Sequence, residues 1–262
     1  MIRAKKSLGQ NFLIDKDVIK KIIDTASIFE KDILEVGPGT GNLTSEILKK
    51  KPKKVYLVEK DDELSNSLQI KFGNKVNIIN KDILRINEKS LSKNKLIVFG
   101  NLPYNISTEI LCNWITKLTN EFFWFSELIL MFQKEVADRI IAKSNNSFYG
   151  RLAILTNWKL NVKKICDIDP SCFSPRPKIE SSVLHFTPKD KWIRINDPKN
   201  IEKITRVFFN HRRKMLKKPF NQLFNGDQKI LDNLKINLNL RPQNLDFEIY
   251  YKLTSEYEKL KS

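Results

Sequence analysis

The sequence predicts an α/β fold, a doubly wound parallel sheet followed by a small helical and basic C-terminal domain. Short apolar runs alternate with amphipathic stretches as far as residue 132, as in a parallel sheet whose strands are joined by helices. A glycine-rich turn directly follows the first of these runs, which is typical of such folds. Beyond residue 190 the pattern is helical, so we predict one domain over 1–189 and another over 190–262.

The elements follow from these runs in chain order. Strands are predicted at 32–36, 54–59, 75–79, 95–99 and 128–132, and helices near 42–50, 61–72 and 107–119. Two later runs, 154–165 and 182–187, are expected to add antiparallel edge strands. A basic helix is predicted over 206–220, with a break at Pro219.

Composition narrows the class of protein. The chain has 262 residues, of which 41% are apolar, and no apolar stretch reaches the 18 residues of a membrane span. Its three cysteines form no CxxC pair, which favours a reduced, cytoplasmic protein without a metal site. We expect a monomer.

The net charge of +17 points first to nucleic acid as a partner. Codon usage is an alternative explanation, because the chain is rich in Lys, Asn and Ile. Residues 188–262, however, hold 17 basic and nine acidic residues, about twice the net charge per residue of the preceding part. In this part Arg206, Arg213 and Lys217 are predicted to share one helical face.

The turn "GPGTG" places Gly37, Gly39 and Gly41 after the first strand. A P-loop would need Lys and then Ser or Thr after the last glycine, and a dinucleotide fingerprint would need Gly instead of Asn42. The GxGxG spacing favours S-adenosylmethionine, although a plain tight turn remains an alternative.

Two carboxylates follow the next two strands. Glu59 ends the second strand, where an acid accepts hydrogen bonds from both hydroxyls of a ribose. Asp82 follows the third strand and can accept from an adenine amino group. Either residue alone can be a surface or turn acid. The carboxyl ends of parallel strands meet at one edge of the sheet, however. The glycine turn, Glu59 and Asp82 together therefore predict a site for a nucleoside cofactor.

The stretch "NLPY" follows the fourth strand and reaches the same edge. An exocyclic amine of adenine is a poor nucleophile, and hydrogen-bond acceptors aimed at its N–H bonds favour methyl transfer. The side chain of Asn101 and the carbonyl of Leu102 can be these acceptors, because Pro103 holds Leu102 extended. Tyr104 offers a face on which a flipped base can stack.

These motifs resemble those of the Rossmann-like, S-adenosylmethionine-dependent adenine-N6 methyltransferases. Six further stretches make the chain similar to the bacterial small-subunit ribosomal RNA adenine dimethyltransferases over residues 5–218. They are "KKSLGQNFL", "FGNLPYNIST", "MFQKEVADRI", "YGRLAI", "FSPRPKIESSVLHF" and "FNHRRKMLKK".

The resemblance implies a set of site residues. The residues implied for cofactor binding are Asn11, Leu13, Gly37, Gly39, Glu59, Asp82 and Asn101. The residues implied for catalysis are Asn101, Leu102, Pro103, Tyr104 and Phe173. The residues alone would make Phe173 a core residue, whereas the resemblance implies that it faces Tyr104 across the base. The residues expected to bind RNA phosphates are Arg206, Arg212, Arg213, Lys214 and Lys217. We expect no catalytic role for His185 or His211.

The implied reaction is the dimethylation of two adjacent adenosines near the 3′ end of the 16S RNA, within a pre-30S particle. The alternatives are a large-subunit enzyme of the macrolide-resistance type, a DNA adenine methyltransferase, a non-catalytic assembly or transcription factor, and a nucleotide-dependent oxidoreductase. The last would need a better GxGxxG motif and would leave "NLPY" without a role.

Overall fold

The computed structural model describes Lys5 and residues 9–118, 123–210 and 212–261. Its strands are β1 (Phe12–Leu13), β2 (Asp32–Val36), β3 (Lys54–Glu59), β4 (Asn77–Asn80), β5 (Leu96–Gly100), β6 (Phe125–Gln133), β7 (Leu160–Ile168), β8 (Phe173–Ser174) and β9 (Ser181–Pro188). Its helices are α1 (Lys16–Ile23), α2 (Asn42–Lys49), α3 (Asp62–Phe72), α4 (Ser107–Lys117), α5 (Lys134–Ile141), α6 (Arg151–Lys159), α7 (Pro198–Phe209), α8 (Lys217–Phe224), α9 (Gln228–Leu234) and α10 (Phe247–Lys259).

Seven strands form one sheet in the order β4-β3-β2-β5-β6-β9-β7. The first five are parallel neighbours, and β9 pairs antiparallel with β6. The predicted α/β class is therefore confirmed. Because the chain runs outward from β2 to β4 and then returns to place β5 on the other side of β2, the order reverses between β2 and β5. Such a switch point is where open α/β sheets bind ligands.

The central strands form because they can be buried on both faces. Every residue of β2 and of β5 is buried, as expected for the middle of a parallel sheet. Two helices of this part of the chain begin at capping carboxylates. Asp15 accepts hydrogen bonds from the first turn of α1, and Asp61 does the same for α3. These caps fix where the chain enters each helix.

Two compact units can be distinguished along the chain. The first comprises residues 1–111, 121–137 and 162–188, and the second comprises 112–120, 138–161 and 189–262. The domain limits expected from the sequence, 1–189 and 190–262, stay a prediction. Among the described residues, no helix is both long and apolar enough to cross a membrane.

The second unit is built around aromatic side chains of its helices. Phe208 of α7 meets Tyr250 of α10 edge to face, with ring centroids 5.7 Å apart. Phe220 and Phe224 of α8 stack at 4.9 Å. Such pairs add to the stabilisation that burial of their area provides.

Two sequence-based predictions on this part of the chain are wrong. The basic segment 206–220 is not one helix, because α7 ends at Phe209 and α8 begins only at Lys217. Leu216, between them, is fully buried and its N–H bonds the carbonyl of Leu240 at 2.8 Å, so tertiary contacts override the helical pattern. Pro219 breaks no helix, since it lies in the first turn of α8, where a missing N–H removes no helical bond.

The two late strands also differ from expectation. The first half of 154–165 belongs to α6, and β7 begins at Leu160. Most residues of this run that belong to α6 are buried, and an apolar run without clear periodicity does not distinguish a helix from a strand. β9 is antiparallel as predicted, but it lies between β6 and β7 rather than at an edge.

Candidate active site

A cleft of about 900 Å³, open to solvent, lies at the carboxyl ends of β2, β3 and β5 in the first unit. It is lined by five segments that are far apart in the chain. The lining residues are Gly9, Gln10, Asn11, Phe12, Gly37, Gly39, Glu59, Lys60, Leu64, Asp82, Leu84 and residues 101–106. The cleft therefore brings together all the predicted cofactor and catalytic residues except Leu13 and Phe173.

The glycine loop requires glycine for two separate reasons. Gly37 and Gly39 have φ values of +68° and +56°, which other residues rarely adopt. A Cβ at Gly39 would come within 2.7 Å of the ring of Phe12, and one at Gly37 within 3.2 Å of the carbonyl oxygen of Asn101. The loop thus lets the N-terminal segment and the "NLPY" segment approach closely.

Glu59 holds this loop through its carboxylate. One oxygen accepts a hydrogen bond from the N–H of Gly39 at 3.2 Å, and the other accepts from the N–H of Asp61 at 2.9 Å. The residue is 7% exposed, and burial raises the pKa of its carboxyl. Each oxygen keeps a lone pair, so Glu59 can accept further hydrogen bonds from hydroxyl groups in the cleft.

Asp82 is held beside the cleft by two contacts. Its carboxylate accepts from the N–H of Leu84 at 3.0 Å and forms an ion pair with Lys60 at 2.8 Å. The hydrogen bond from Lys60 lowers the pKa of Asp82, so the carboxylate stays an acceptor at neutral pH.

In the "NLPY" segment the side chain of Asn101 has a fixed orientation. Its amide nitrogen donates to the carbonyl oxygen of Asn11 at 2.8 Å. Within the described residues no donor bonds its amide oxygen or the carbonyl oxygen of Leu102. The hydroxyl of Tyr104 lies 2.5 Å from that of Ser181, which is the first residue of β9, and burial raises the pKa of Tyr104.

The N-terminal wall of the cleft is tied to the sheet by Asp61. This carboxylate is 4% exposed and accepts from Lys5 Nζ at 3.0 Å and from Gln10 Nε2 at 3.1 Å, besides capping α3. Burial acts to raise the pKa of Asp61, but these hydrogen bonds outweigh it and lower the pKa. Residues 6–8 of the motif "KKSLGQNFL" lie outside the described residues.

An apolar cavity of about 470 Å³ adjoins the cleft and shares Phe12, Gly37 and Asn101 with it. Leu13 lines this cavity and not the cleft. Its one carboxylate among the described residues is Glu35, which is 2% exposed and accepts from the hydroxyl of Thr44 at 2.6 Å. Burial raises the pKa of Glu35 to about 7.

Phe173 lies in the apolar core. It is 3% exposed, pairs with Leu13 across β1 and β8, and is not among the described residues that line the cleft. This burial agrees with the interpretation from the residues alone. Its predicted position opposite Tyr104 stays a prediction, which the burial does not support.

The five predicted phosphate-binding residues lie in the second unit, on α7, on the segment after it and at the start of α8. Arg206, Arg213, Lys214 and Lys217 are exposed, and Arg212 contacts the backbone carbonyl of Ser147. Arg206, Arg213 and Lys217 do not share a helical face, because the helix ends between the first two. His211 lies outside the described residues, and His185 bonds Glu127 at 2.7 Å.

Sequence reasoning missed several residues that shape the site. Four such residues form hydrogen bonds with a predicted site residue or with the segment that carries one. They are Asp61, Gln10, Lys60 and Ser181. Asp61 had a usable signal, because an Asp before a helix is a cap and lies two residues after Glu59. Among the described residues, no group of His, Cys, Asp or Glu is arranged to hold a metal ion.

The residues of the cleft fit S-adenosylmethionine. The loop is free of side chains where a Cβ would meet Phe12, and Glu59 and Asp82 are acceptors of the kind that hydroxyl and amino groups of a nucleoside require. When bound, this cofactor supplies a methyl group on a sulfonium.

Comparisons of this chain with protein families, with known relatives and with solved structures give consistent results. The family model "Ribosomal RNA adenine dimethylase" matches residues 1–259. The "Ribosomal RNA small subunit methyltransferase A" of Pelagibacter ubique (strain HTCC1062) is 61% identical over 260 residues, which cover 99% of each chain. A dimethyladenosine transferase from Plasmodium falciparum has a TM-score of 0.80 at 27% identity, over 95% of this chain and 98% of that one.

A second solved structure, the 23S rRNA methyltransferase ErmE, has a TM-score of 0.70. Its identity is 20%, over 94% of this chain and 99% of the other, so the likeness concerns the fold alone.

Proposed function

Because the chain belongs to the ribosomal RNA adenine dimethylase family, we propose that it dimethylates N6 of two adjacent adenosines near the 3′ end of small-subunit ribosomal RNA, with S-adenosylmethionine as the methyl donor. One observation carries this proposal. Residues 101–104 line the same cleft as the glycine loop, Glu59 and Asp82, so acceptors for a target amine lie beside groups suited to a nucleoside cofactor.

In this proposal the cofactor is held by backbone and carboxylate groups. Gly37 and Gly39 allow it to approach the loop, Glu59 accepts from the ribose hydroxyls, and Asp82 accepts from the adenine amino group. Asn11 belongs to the wall that covers it. Leu13 contributes from the adjoining cavity by supporting that wall.

Asn101 and Leu102 act on the target amine. The Asn101 amide oxygen and the Leu102 carbonyl accept its two N–H bonds, which favours a pyramidal nitrogen and the positive charge that develops there. Pro103 keeps the Leu102 carbonyl in place. No side chain has to be a strong base, because the nitrogen loses its proton readily once it carries the methyl group. The rate then comes from positioning and charge stabilisation.

Tyr104 presents its ring to the flipped adenine, a contact worth about 1–3 kcal/mol. The bond to Ser181 supports this role, because it holds the ring in one orientation. In the second unit, Arg206, Arg212, Arg213, Lys214 and Lys217 bind phosphates without reading bases. We place the reaction in the cytoplasm, on a pre-30S particle, with the protein acting as a monomer without a metal.

A methyl-transfer assay tests the proposal. The protein is incubated with methyl-labelled S-adenosylmethionine and, separately, undermethylated small subunits, large subunits and duplex DNA. We expect label as N6,N6-dimethyladenosine in the small-subunit RNA, formed about 100- to 1000-fold more slowly by Asn101→Ala and kept in Asn66→Ala, whose Asn is exposed on α3.

Other results would contradict the proposal. Label in the large subunit would move the assignment to an enzyme of the resistance type. Label in DNA would make the protein a DNA methyltransferase. No label, with an active control enzyme on the same substrates, would indicate a binding factor on this fold.

A further inference from the structure

Two neighbouring surface grooves of the first unit are lined by lysines. The first is lined by Lys49, Lys51, Lys53, Lys54, Lys71 and Lys75. The second is lined by Lys53, Lys54, Lys89 and Lys93. Because Lys53 and Lys54 line both, the grooves form one continuous basic surface, which we call the lysine track.

Most of this charge is free. Lys49 pairs with Glu46 at 2.6 Å, and Lys71 donates to the carbonyl of Thr40 at 2.9 Å. The other six lysines are exposed, and within the described part of the chain none of them forms an ion pair. The carboxylate that lines the track, that of Asp32, is 3% exposed and accepts from Ser92 and Asn94. Its single negative charge offsets at most one of these lysines.

The track lies at the end of the sheet opposite to the cleft. Lys53 directly precedes β3, and Lys54 is its first residue. Lys75 precedes β4 and Lys93 precedes β5, so these lysines lie at the amino ends of neighbouring strands. The cleft lies at the carboxyl ends. A five-residue strand such as β2 spans about 16 Å, so a nucleotide in the cleft cannot occupy the track at the same time.

From this placement we infer that the lysine track is a second RNA-contact surface, which binds the phosphate backbone of a segment of the subunit RNA other than the one that enters the cleft. This inference rests on the proposed function. The ammonium group of lysine is a flexible point charge that binds phosphates and does not distinguish between bases. The track therefore adds affinity for the RNA and helps to orient it, without sequence specificity. It also favours a large folded RNA over a short strand, because the substrate has to reach both ends of the sheet.

The test compares two double variants of equal charge change. Lys53→Glu with Lys54→Glu alters the residues that both grooves share. Lys16→Glu with Lys20→Glu changes exposed lysines of α1 that line neither groove, and serves as the control. For each protein we would measure co-sedimentation with undermethylated small subunits and methyl-transfer kinetics over a range of KCl concentrations. Thermal melting and cofactor binding report folding.

We expect the track variant to show KM for subunits raised by about tenfold, with kcat at saturation unchanged. The plot of log affinity against log salt should be flatter by about 0.7–0.9 for each phosphate that the variant no longer neutralises. The control should follow the wild type. Equal KM and equal salt dependence in the two double variants would overturn the inference.

The same experiment separates this inference from the proposed function. If the wild type transfers no methyl group to small subunits, the proposed function fails, whereas co-sedimentation still tests the track. Vesicles containing anionic lipid form the last arm. Loss of vesicle binding in the track variant, with subunit binding intact, would overturn the inference and assign the track to a membrane surface.

Discussion

The amide nitrogen of Asn101 donates a hydrogen bond to the backbone carbonyl of Asn11, with an N···O distance of 2.8 Å. A carbonyl can only accept, so the amide oxygen of Asn101 faces away from Asn11 and remains an acceptor. One side chain therefore does two things. It ties the N-terminal wall of the cleft to β5, and it provides an acceptor for the target amine.

The first prediction separates these two roles. Asn101→Ala removes the acceptor, and we expect kcat to fall by about 100- to 1000-fold, as when one preorganised hydrogen bond is removed from a catalytic site. Asn101→Asp keeps an acceptor but turns a carboxylate oxygen toward the Asn11 carbonyl. It should weaken cofactor binding more than Asn101→Ala does. Steady-state kinetics and calorimetry measure the two effects, and an unchanged kcat in Asn101→Ala would contradict the catalytic role.

The second prediction concerns Asp61 and its partners Lys5 and Gln10. Asp61→Asn retains an oxygen that can cap α3, but its NH₂ group then faces Nε2 of Gln10. Gln10 cannot simply flip its amide, because its oxygen accepts from the N–H of Lys5 at 2.7 Å. We expect cofactor binding to weaken by roughly 1–2 kcal/mol, about tenfold in Kd, with little change in melting temperature.

Asp62→Asn is the matched control for this prediction, because Asp62 is exposed at the start of α3. Calorimetric titration with S-adenosylmethionine gives both constants. A similar loss of affinity in the two variants would contradict the prediction. It would show that cofactor binding depends on negative charge near the cleft and not on the hydrogen bonds between Asp61 and the N-terminal segment.

The sequence was sufficient for the parts of the site that follow from strand order. Gly37, Glu59, Asp82 and Asn101 each follow a short apolar run, and the carboxyl ends of parallel strands meet at one edge, so their meeting in one cleft was predictable. No such rule relates Gln10 or Lys5 to Asp61, because those contacts depend on where an irregular segment crosses the sheet.

The failures have similar physical causes. The break between α7 and α8 depends on the burial of Leu216 and on its bond to Leu240, which lies 24 positions further along the chain. Local spacing cannot show such a contact. The helix α6 resembles a strand in its sequence because Ile154, Leu155 and Trp158 are all buried, so no polar face marks a helical period.

The third prediction uses two glycines with similar backbone conformations. Gly39→Ala and Gly226→Ala both place a Cβ at positive φ, +56° and +73°, and each should cost about 1–2 kcal/mol of stability. At Gly39 the Cβ would also meet Phe12 at 2.7 Å, whereas at Gly226 the nearest atom is 3.5 Å away. We therefore expect loss of cofactor affinity in Gly39→Ala alone, measured by calorimetry. Equal affinity in both would contradict the close approach of Phe12.

The fourth prediction concerns the ring and the hydroxyl of Tyr104. Tyr104→Ala removes the stacking face and should lower kcat/KM for subunits by about 10- to 100-fold, corresponding to 1–3 kcal/mol. Tyr104→Phe keeps the face and removes the hydrogen bond with Ser181, and Ser181→Ala removes the same bond from the other side. These two variants should resemble each other and stay close to the wild type. A large drop in kcat/KM for Tyr104→Phe would assign the main role to the hydroxyl.

The last prediction is a dependence of stability on pH that arises from Glu35. Burial raises the pKa of this carboxyl to about 7, above the 4.5 of a free Glu, while the bond from Thr44 acts in the opposite direction. The folded protein therefore binds the proton more tightly than the unfolded chain does. The stabilising contribution of the protonated group is complete below about pH 4.5 and is lost as the pH rises to about 7.

Glu35→Gln removes this titration and keeps an oxygen that can accept from Thr44. Its free energy of unfolding, relative to that of the wild type, should rise between pH 5 and pH 8 by roughly 3 kcal/mol at most, at about 1.4 kcal/mol per unit of pKa shift. Urea unfolding without cofactor at the two pH values measures this difference. Glu46→Gln, whose partly exposed side chain on α2 pairs with Lys49, is the control. Parallel pH profiles for the wild type and Glu35→Gln would mean that the Glu35 carboxyl ionises in the folded protein as readily as in the unfolded chain.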